Sequence, residues 1–487
     1  MCAVLGACNG YLEEIPQNKQ KLSTTDDYDQ LLNNAYLTQA VLPYIDVLTD
    51  DMDYIVADRR PNFANSADTY LGAHLWDNSI ETTMPNGDEV FAKFYNSAYN
   101  TNVVIDNIDE AVGAVLDMTE VERTRKHIKG EAYALRAFRY FYLVNMYAAP
   151  YDPATCATTP GIPVYLETTA DDKAYRRVSL EKVYGQIVDD LKNAIPLLEE
   201  NLMETGKTRF SALAAKALLA RVYLYMQDWE NAKSTAEKLL AQNGALLDYS
   251  SIAENTEGYA ISEKSPELLF SQGPLNLQCE FSGSGGDFCV SNDLYKLYDE
   301  NDYRQTIYFT RSTQSDSLGL NRKYQMGKHR SYVSDIFTLR TAEGYLNAAE
   351  ACAMLGDAGA ASGWLNRLRG KRIKDYEDVV YTADEIIEQV RVERRKELCL
   401  EGHRWLDLRR YAVCKKSPFK KIIERVYALY DWDGRSVFKY AEVYQLNVDD
   451  PAYVFAIPKA VLEFDKDMPD NIREDREYVR LMYRNNE

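Results

Sequence analysis

Histidine is scarce in this chain, with four in 487 residues, and none is paired at a metal-ligand spacing. None of the eight cysteines (Cys2, Cys8, Cys156, Cys279, Cys289, Cys352, Cys399 and Cys414) forms a CxxC. No metal site is therefore expected. HExxH, nucleophile-elbow and dinucleotide motifs are absent, and Gly206-Lys207-Thr208 has Asn201 where a phosphate loop needs its first glycine. No run of 18 apolar residues occurs, so no membrane-spanning helix is expected. Positive charge is in deficit, 56 Lys and Arg against 75 Asp and Glu, for a formal net charge of −19. A phosphate backbone would be repelled, so nucleic acid is excluded as the expected partner.

Tyrosine, by contrast, is abundant: 37 residues beside 5 Trp and 15 Phe. Its flat, amphipathic ring suits a core with polar edges, and it also suits stacking on sugar rings or gripping peptides. The chain starts Met1-Cys2-Ala3-Val4-Leu5-Gly6-Ala7-Cys8. Leu5-Gly6-Ala7-Cys8 has the form of a bacterial lipoprotein signal, in which small residues precede the cut and the cysteine, here Cys8, carries the lipid. At about 0.8 kcal/mol per buried methylene, two or more acyl chains hold a soluble body on a membrane. The stretch before Cys8 is short and has no basic start, so the true start is expected upstream.

Residues 9–22 read as a polar tether. Ser23-Thr24-Thr25-Asp26 is capping material for a helix with Tyr28, Leu31, Leu32, Ala35 and Tyr36 on one face. Residues 46–90 read as long loops. Helical spacing returns over 91–116, and 128–148 is apolar on nearly every side, as a central buried helix should be, until Pro150 ends it. Ser179 reads as an N-cap, 211–243 as a helix pair broken at Gln227-Asp228, and 250–335 as a mixed, Gly- and Ser-rich region. Residues 334–370 and 383–411 read as helical, and the end as loops with a strand-like run at 453–457.

An internal repeat is present. Ala220, Tyr225-Met226-Gln227-Asp228, Ala232 and Leu239 align without a gap on Ala349, Met354-Leu355-Gly356-Asp357, Ala361 and Leu368. Small residues let two helices approach, and Asp starts the turn between them. This pattern resembles the tetratricopeptide repeat, a helix hairpin that stacks on its neighbours.

The densest charge lies in 391–411. On one helix it would offer the i,i+3 pairs Glu393–Lys396, Arg394–Glu397, Glu401–Arg404, Arg404–Asp407 and Asp407–Arg410, with Leu398, Trp405 and Leu408 as the apolar face. An ion-pair network locking helices is expected rather than an acid/base pair, because a cation beside each carboxylate lowers its pKa. Asp50, Asp51 and Asp53 lack the frame of a calcium loop and read as a solvated acidic loop. Trp76, in the polar stretch 72–78, and Phe281 and Phe288, on either side of a glycine-rich turn, read equally as packing or as binding residues. Cys352 and Cys399 read as small core residues, while a disulfide between Cys279 and Cys289 stays open.

Taken together, the chain resembles the SusD/RagB family of outer-membrane nutrient-binding lipoproteins over nearly its whole length. The resemblance is carried by Cys8-Asn9-Gly10-Tyr11-Leu12-Glu13-Glu14-Ile15-Pro16, by 99–104, by Gly130-Glu131-Ala132-Tyr133-Ala134-Leu135-Arg136-Ala137 and by Gly161-Ile162-Pro163-Val164. Most specific is Arg391-Val392-Glu393-Arg394-Arg395-Lys396-Glu397-Leu398 followed by 401–410, with Ile457-Pro458-Lys459 near the end. The family's usual Gln-Asn-Pro ending is replaced by Met468-Pro469-Asp470-Asn471.

The resemblance implies a mostly α fold, with tetratricopeptide-like helix pairs as scaffold and large irregular loop segments. It implies an anchor and tether over 1–22, an N-terminal region over 23–245 and a C-terminal region over 246–487, the two regions intertwined in one globule. It implies no catalysis and no cofactor. Family members lie as a lid over a SusC-like TonB-dependent transporter, capture oligosaccharides or peptides, and are held on the outer membrane at the cell surface by the lipid. By similar order and spacing to the starch-binding prototype, Asp51, Arg59 and Trp76 would hold the ligand, with Asn78 adjacent to Ser79 where an Asn is expected; the loop aromatics Phe281 and Phe288 are further candidate faces. Rings would stack on apolar sugar faces while Asp and Arg bond hydroxyls, in a shallow site. On that reading Trp76→Ala weakens binding without lowering the melting temperature. A helical glycosidase and an intracellular repeat scaffold are the rival readings.

Overall fold

The computed structural model describes residues 22–37, 44–54, 71–77, 87–113, 115–168, 176–254, 257–272, 288–312, 318–323, 333, 338–432 and 436–483. Its scaffold is helical: α1 Thr25–Leu37, α2 Gly87–Asn107, α3 Met118–Tyr147, α4 Leu180–Glu200, α5 Ala212–Tyr225, α6 Trp229–Gln242, α7 Thr341–Leu355, α8 Ala358–Arg369, α9 Ile386–Glu397 and α10 His403–Ala412. Helix starts follow the capping residues. The side chains of Asp117, Ser179, Ser211, Asp228 and Asp357 each accept a hydrogen bond from a backbone N–H in the first turn of α3, α4, α5, α6 and α8. From α1 through α8 each helix packs on the next, and α9 closes on α7. Helix α3 is buried over almost all of its second half, so it sits at the centre of the stack.

The repeat is a structural one. Gln227 and Gly356 both adopt left-handed backbone, at φ 59° and 91°. Asp228 N–H donates to Tyr223 O and Asp357 N–H to Cys352 O, each at 2.9 Å, the same helix-ending bond at matched positions. Ala220, Ala349, Ala232, Ala361, Leu239 and Leu368 are all fully buried. The alanines allow α5, α6, α7 and α8 to approach closely, and the α5–α9 region carries its own small core of Ala220, Ala236, Ala349, Leu365 and Val390. A larger core runs from Tyr28 to Met468, drawing on both halves of the chain.

Short strands punctuate the loops: β1 Met52–Tyr54, β2 Leu268–Phe270, β3 Phe288–Val290, β4 Phe309–Arg311, β5 Leu318–Leu320 and β6 Leu339–Arg340. They pair antiparallel as β1 with β3, β2 with β6 and β4 with β5. A long hairpin, β7 Ile423–Trp432 and β8 Ser436–Leu446, takes β9 Arg480–Met482 as a third strand.

Three expectations change. Residues 383–411 are two helices, because Leu400 (φ 57°) and Gly402 (φ 78°) turn the chain between α9 and α10. The β7–β8 hairpin went unread because Arg425 occupies an inward position of β7, between buried Ile423 and Tyr427, and so breaks the apolar alternation. The run at 453–457 makes no strand. It follows a 3₁₀ turn, Pro451–Tyr453, and docks on α3 through a bond from Phe455 N–H to Met146 O at 2.9 Å.

Candidate functional site

The segment 391–410 is the electrostatic centre of the molecule. Arg304, Arg340 and Arg372 converge on the buried Glu397 carboxylate at 2.8, 2.6 and 2.9 Å. Arg304 and Arg369 hold Glu393 at 2.7 and 2.6 Å. Arg340 and Lys323 hold Glu401 at 2.8 and 3.0 Å. Arg394 and Arg410 share Asp407 at 2.9 and 2.7 Å. Burial opposes these charges, but the surrounding guanidinium groups outweigh it. Glu393 and Asp407 are lowered to about 2, and Glu397 is held well below the usual carboxylate range. Carboxylates held this low do not act as general acids. The expected network therefore forms, but mostly between distant parts of the chain. Of the five i,i+3 pairs only Asp407–Arg410 lies within ion-pair distance, because the buried charges of both helices are taken by partners elsewhere in the chain.

The network extends to the N-terminal region. Asp50 takes both nitrogens of an Arg404 fork at 2.8 Å and also pairs with Lys421 at 2.7 Å, while Asp51 pairs with Arg395 at 2.7 Å. Asp50 and Asp51 are buried, which corrects the reading of 50–53 as a solvated loop: cations 344 to 371 positions away in sequence fold onto it. Burial opposes the Asp50 charge, yet Arg404, Arg395 and Lys421 hold its pKa well below the ordinary value. Burial pushes Asp51 up, Arg395 pulls against it, and the Asp50 charge adds to the rise.

Of the residues singled out for binding, the structure brings Asp51, Trp76 and Phe288 together. Asp51 directly precedes β1, and Phe288 opens β3, where it pairs opposite Tyr54. The Trp76 indole N–H donates to Leu48 O at 2.9 Å, and the Arg425 guanidinium lies 5.4 Å from its ring centroid. Tyr54, His74 and Phe288 form an aromatic cluster, with His74 and Phe288 centroids 5.4 Å apart. Burial holds the His74 pKa well below 6.5, with the Arg425 charge adding to the effect.

This frame is packed from within. Trp76 is 1% exposed, and Phe288 and Asp51 are fully buried. The stacking role read for Trp76 and Phe288, and the ligand-holding role read for Asp51, are thus corrected. Other parts of the chain cover the rings, and Arg395 takes one Asp51 oxygen while the other is buried without a hydrogen-bond partner, none of which a local pattern reveals. Arg59, Asn78, Phe281, Cys8 and Cys279 lie outside the described residues. Cys289 is a free thiol that burial pushes up to about 12.

The family motifs are built into the same frame. Arg136 forks onto Asp190 at 2.8 and 2.6 Å and reaches Asn102 at 2.9 Å. Glu131 gathers His127, Arg209 and Tyr36. With these motifs in place, two family models match the chain: one described as starch-binding associating with outer membrane, over residues 9–224, and one described as SusD family, over residues 318–472. The chain belongs to the SusD/RagB family. Among relatives of this SusD/RagB chain, the SusD-like protein P38 of Formosa agariphila is 24% identical, covering 83% of this chain and 88% of the relative. A SusD-like protein of Bacteroides ovatus is 24% identical, covering 66% and 65%. A SusD-like carbohydrate binding protein from Bacteroides vulgatus superposes with a TM-score of 0.71 at 22% identity, over 93% of this chain and 99% of that one. A SusD superfamily protein from Bacteroides thetaiotaomicron gives 0.70 at 21% identity, over 92% and 100%. The motifs by which the family is recognised are thus largely buried ion pairs that hold the fold.

Proposed function

We propose that this protein is a cell-surface lipoprotein that binds oligosaccharides and passes them to a SusC-like TonB-dependent transporter, without catalysis of its own. Membership of the family carries the reading: one matching model is described as starch-binding at the outer membrane, and the fold agrees with a SusD-like carbohydrate binding protein over nearly all of both chains. That model's match begins at residue 9, next to Cys8, which supports Cys8 as the lipid-bearing residue. In this proposal Arg59, Asn78 and Phe281 contact the primary ligand, and Asp51, Trp76 and Phe288 form a rigid packed base. The base supplies preorganisation rather than contact, which lowers the ordering cost of a shallow site.

Titration against a glycan array and a peptide pool tests the ligand class. Glycan binding is expected, and binding of peptides alone overturns it in favour of the peptide-binding branch. Purification from native membranes should give a diacyl or triacyl Cys8 by mass spectrometry and a co-purifying β-barrel. A protein with neither refutes the anchored, transporter-coupled reading.

A further inference from the structure

An open groove of about 330 Å³ runs between α2, the extended chain after α3 and the short helix Lys459–Phe464. This volume lies at the small end of ligand clefts, which span ~300–1,000 Å³. Tyr95 and Tyr99 stand one turn apart on α2. Their hydroxyls are turned away to backbone acceptors, Tyr95 to Pro163 O at 2.7 Å and Tyr99 to Thr168 O at 3.1 Å. Asn102 pins the opposite chain by donating to Tyr165 O at 3.0 Å. The Tyr99 and Tyr165 rings lie nearly parallel, 18° apart with centroids 6.3 Å apart. The hydroxyls of Tyr95 and Tyr99 are thus tethered, and the rings of Tyr95, Tyr99 and Tyr165 line the groove. Phe464 completes the groove and is 65% exposed, so a large apolar surface faces water there.

Two polar groups accompany these rings. Asp465 is 6% exposed, and one of its oxygens accepts from Asp467 N–H at 3.1 Å. Its other oxygen is buried with no hydrogen-bond partner, and no cation pairs with it among the described residues. It follows the last turn of a helix, where the backbone dipole opposes a negative charge. Buried acceptors are rarely left this way unless a donor arrives from outside. Asn96, exposed on α2, lines the same groove and carries an amide.

Flat apolar walls and an unmet acceptor exclude several occupants. An acyl chain would leave Asp465 unpaired, and a phosphorylated ligand would be repelled by it. A neutral pyranose satisfies both features, having a C–H face for the rings and hydroxyl donors at its edge. We propose that this groove is a second glycan-binding site, built from residues other than those of the primary site. It takes one neutral pyranose ring against Tyr99 and Phe464, with a ring hydroxyl donating to Asp465, whose covered oxygen turns outward to accept it. This rests on the glycan reading of the whole protein.

Saturation-transfer NMR of the full chain with D-glucose, D-galactose, D-mannose and D-xylose tests it. Saturation is expected at the ring C–H protons of at least one sugar. Phe464→Ala and Asp465→Asn should each lower that signal at least threefold without lowering the melting temperature. No saturation from any of the four sugars, or wild-type signal in both variants, overturns the groove. The same three proteins on a glycan array separate the two readings. Equal binding of longer glycans by all three, with the groove silent, leaves the family reading standing and removes only this site. No glycan bound by the wild type removes both.

Discussion

Trp76→Ala should make the protein melt earlier. The indole is 1% exposed, its N–H is bonded to Leu48 O at 2.9 Å, and Arg425 covers the ring at 5.4 Å. Truncating a buried aromatic side chain costs about 3–5 kcal/mol. An unfolding entropy of about 2.1 cal/mol/K per residue over 487 residues comes to about 1 kcal/mol/K. If the chain melts as one unit, the melting temperature falls by about 3–5 °C. Trp76 also sits at φ 58°, which costs an L-residue roughly 1–2 kcal/mol that glycine does not incur. Trp76→Gly, which loses the same packing but relieves the backbone, should therefore be less destabilised than Trp76→Ala by about 1 °C. Scanning calorimetry of both variants, paired with glycan titration, measures this. An alanine variant that melts with the wild type while losing affinity refutes the reasoning, because that is the behaviour of a surface stacking platform.

Three further outcomes are expected. Glu397→Gln keeps the shape but strands Arg304, Arg340 and Arg372 around a neutral group, at a cost of about 3–5 kcal/mol; chemical denaturation showing less than about 1 kcal/mol would contradict the network's role. Gly356→Ala meets no atom within 4 Å but holds φ 91°, so it should lose roughly 1–2 kcal/mol, whereas Gly363→Ala, in open space on α8, should gain about 0.5–1 kcal/mol; equal effects would refute the left-handed cap. Burial holds His74 and His403 well below 6.5, aided by Arg425 at His74 and by Arg221 at His403. The unfolded rings take protons near 6.5 while the folded ones resist, so their contribution is whole above that pH. It is lost as pH falls below 6.5, by about 1.36 kcal/mol per unit for each ring, and a melting profile flat from pH 7.5 to 5.5 would contradict it.

The helical scaffold was legible because its signals are local. Ser179, Ser211, Asp228 and Asp357 announce helix starts, and the Gln227 and Gly356 turns match because the same two-helix unit recurs. The charged segment announced a network, but not its partners. Those lie at Asp50, Arg304, Arg340 and Arg372, positions that helical spacing does not connect. The candidate site was the least legible part. A tryptophan in a polar, aperiodic stretch looks the same whether it faces water or, as here, lies beneath Arg425 from a hairpin that itself went unread.

The amino-acid sequence alone determined the helix pairs, their repeat, the acidic balance and the motifs that mark the family, because spacing, capping and composition act over a few residues. Only the tertiary structure decided which side chains are buried. It sent Trp76, Phe288 and Asp51 inward and gathered Tyr95, Tyr99, Tyr165 and Phe464 into a groove. Burial and ion pairing depend on what packs opposite, and helical spacing does not point to it: Arg395 reaches Asp51 and Arg425 reaches Trp76 from far along the chain, while Tyr95 and Tyr99 are held by Pro163 and Thr168.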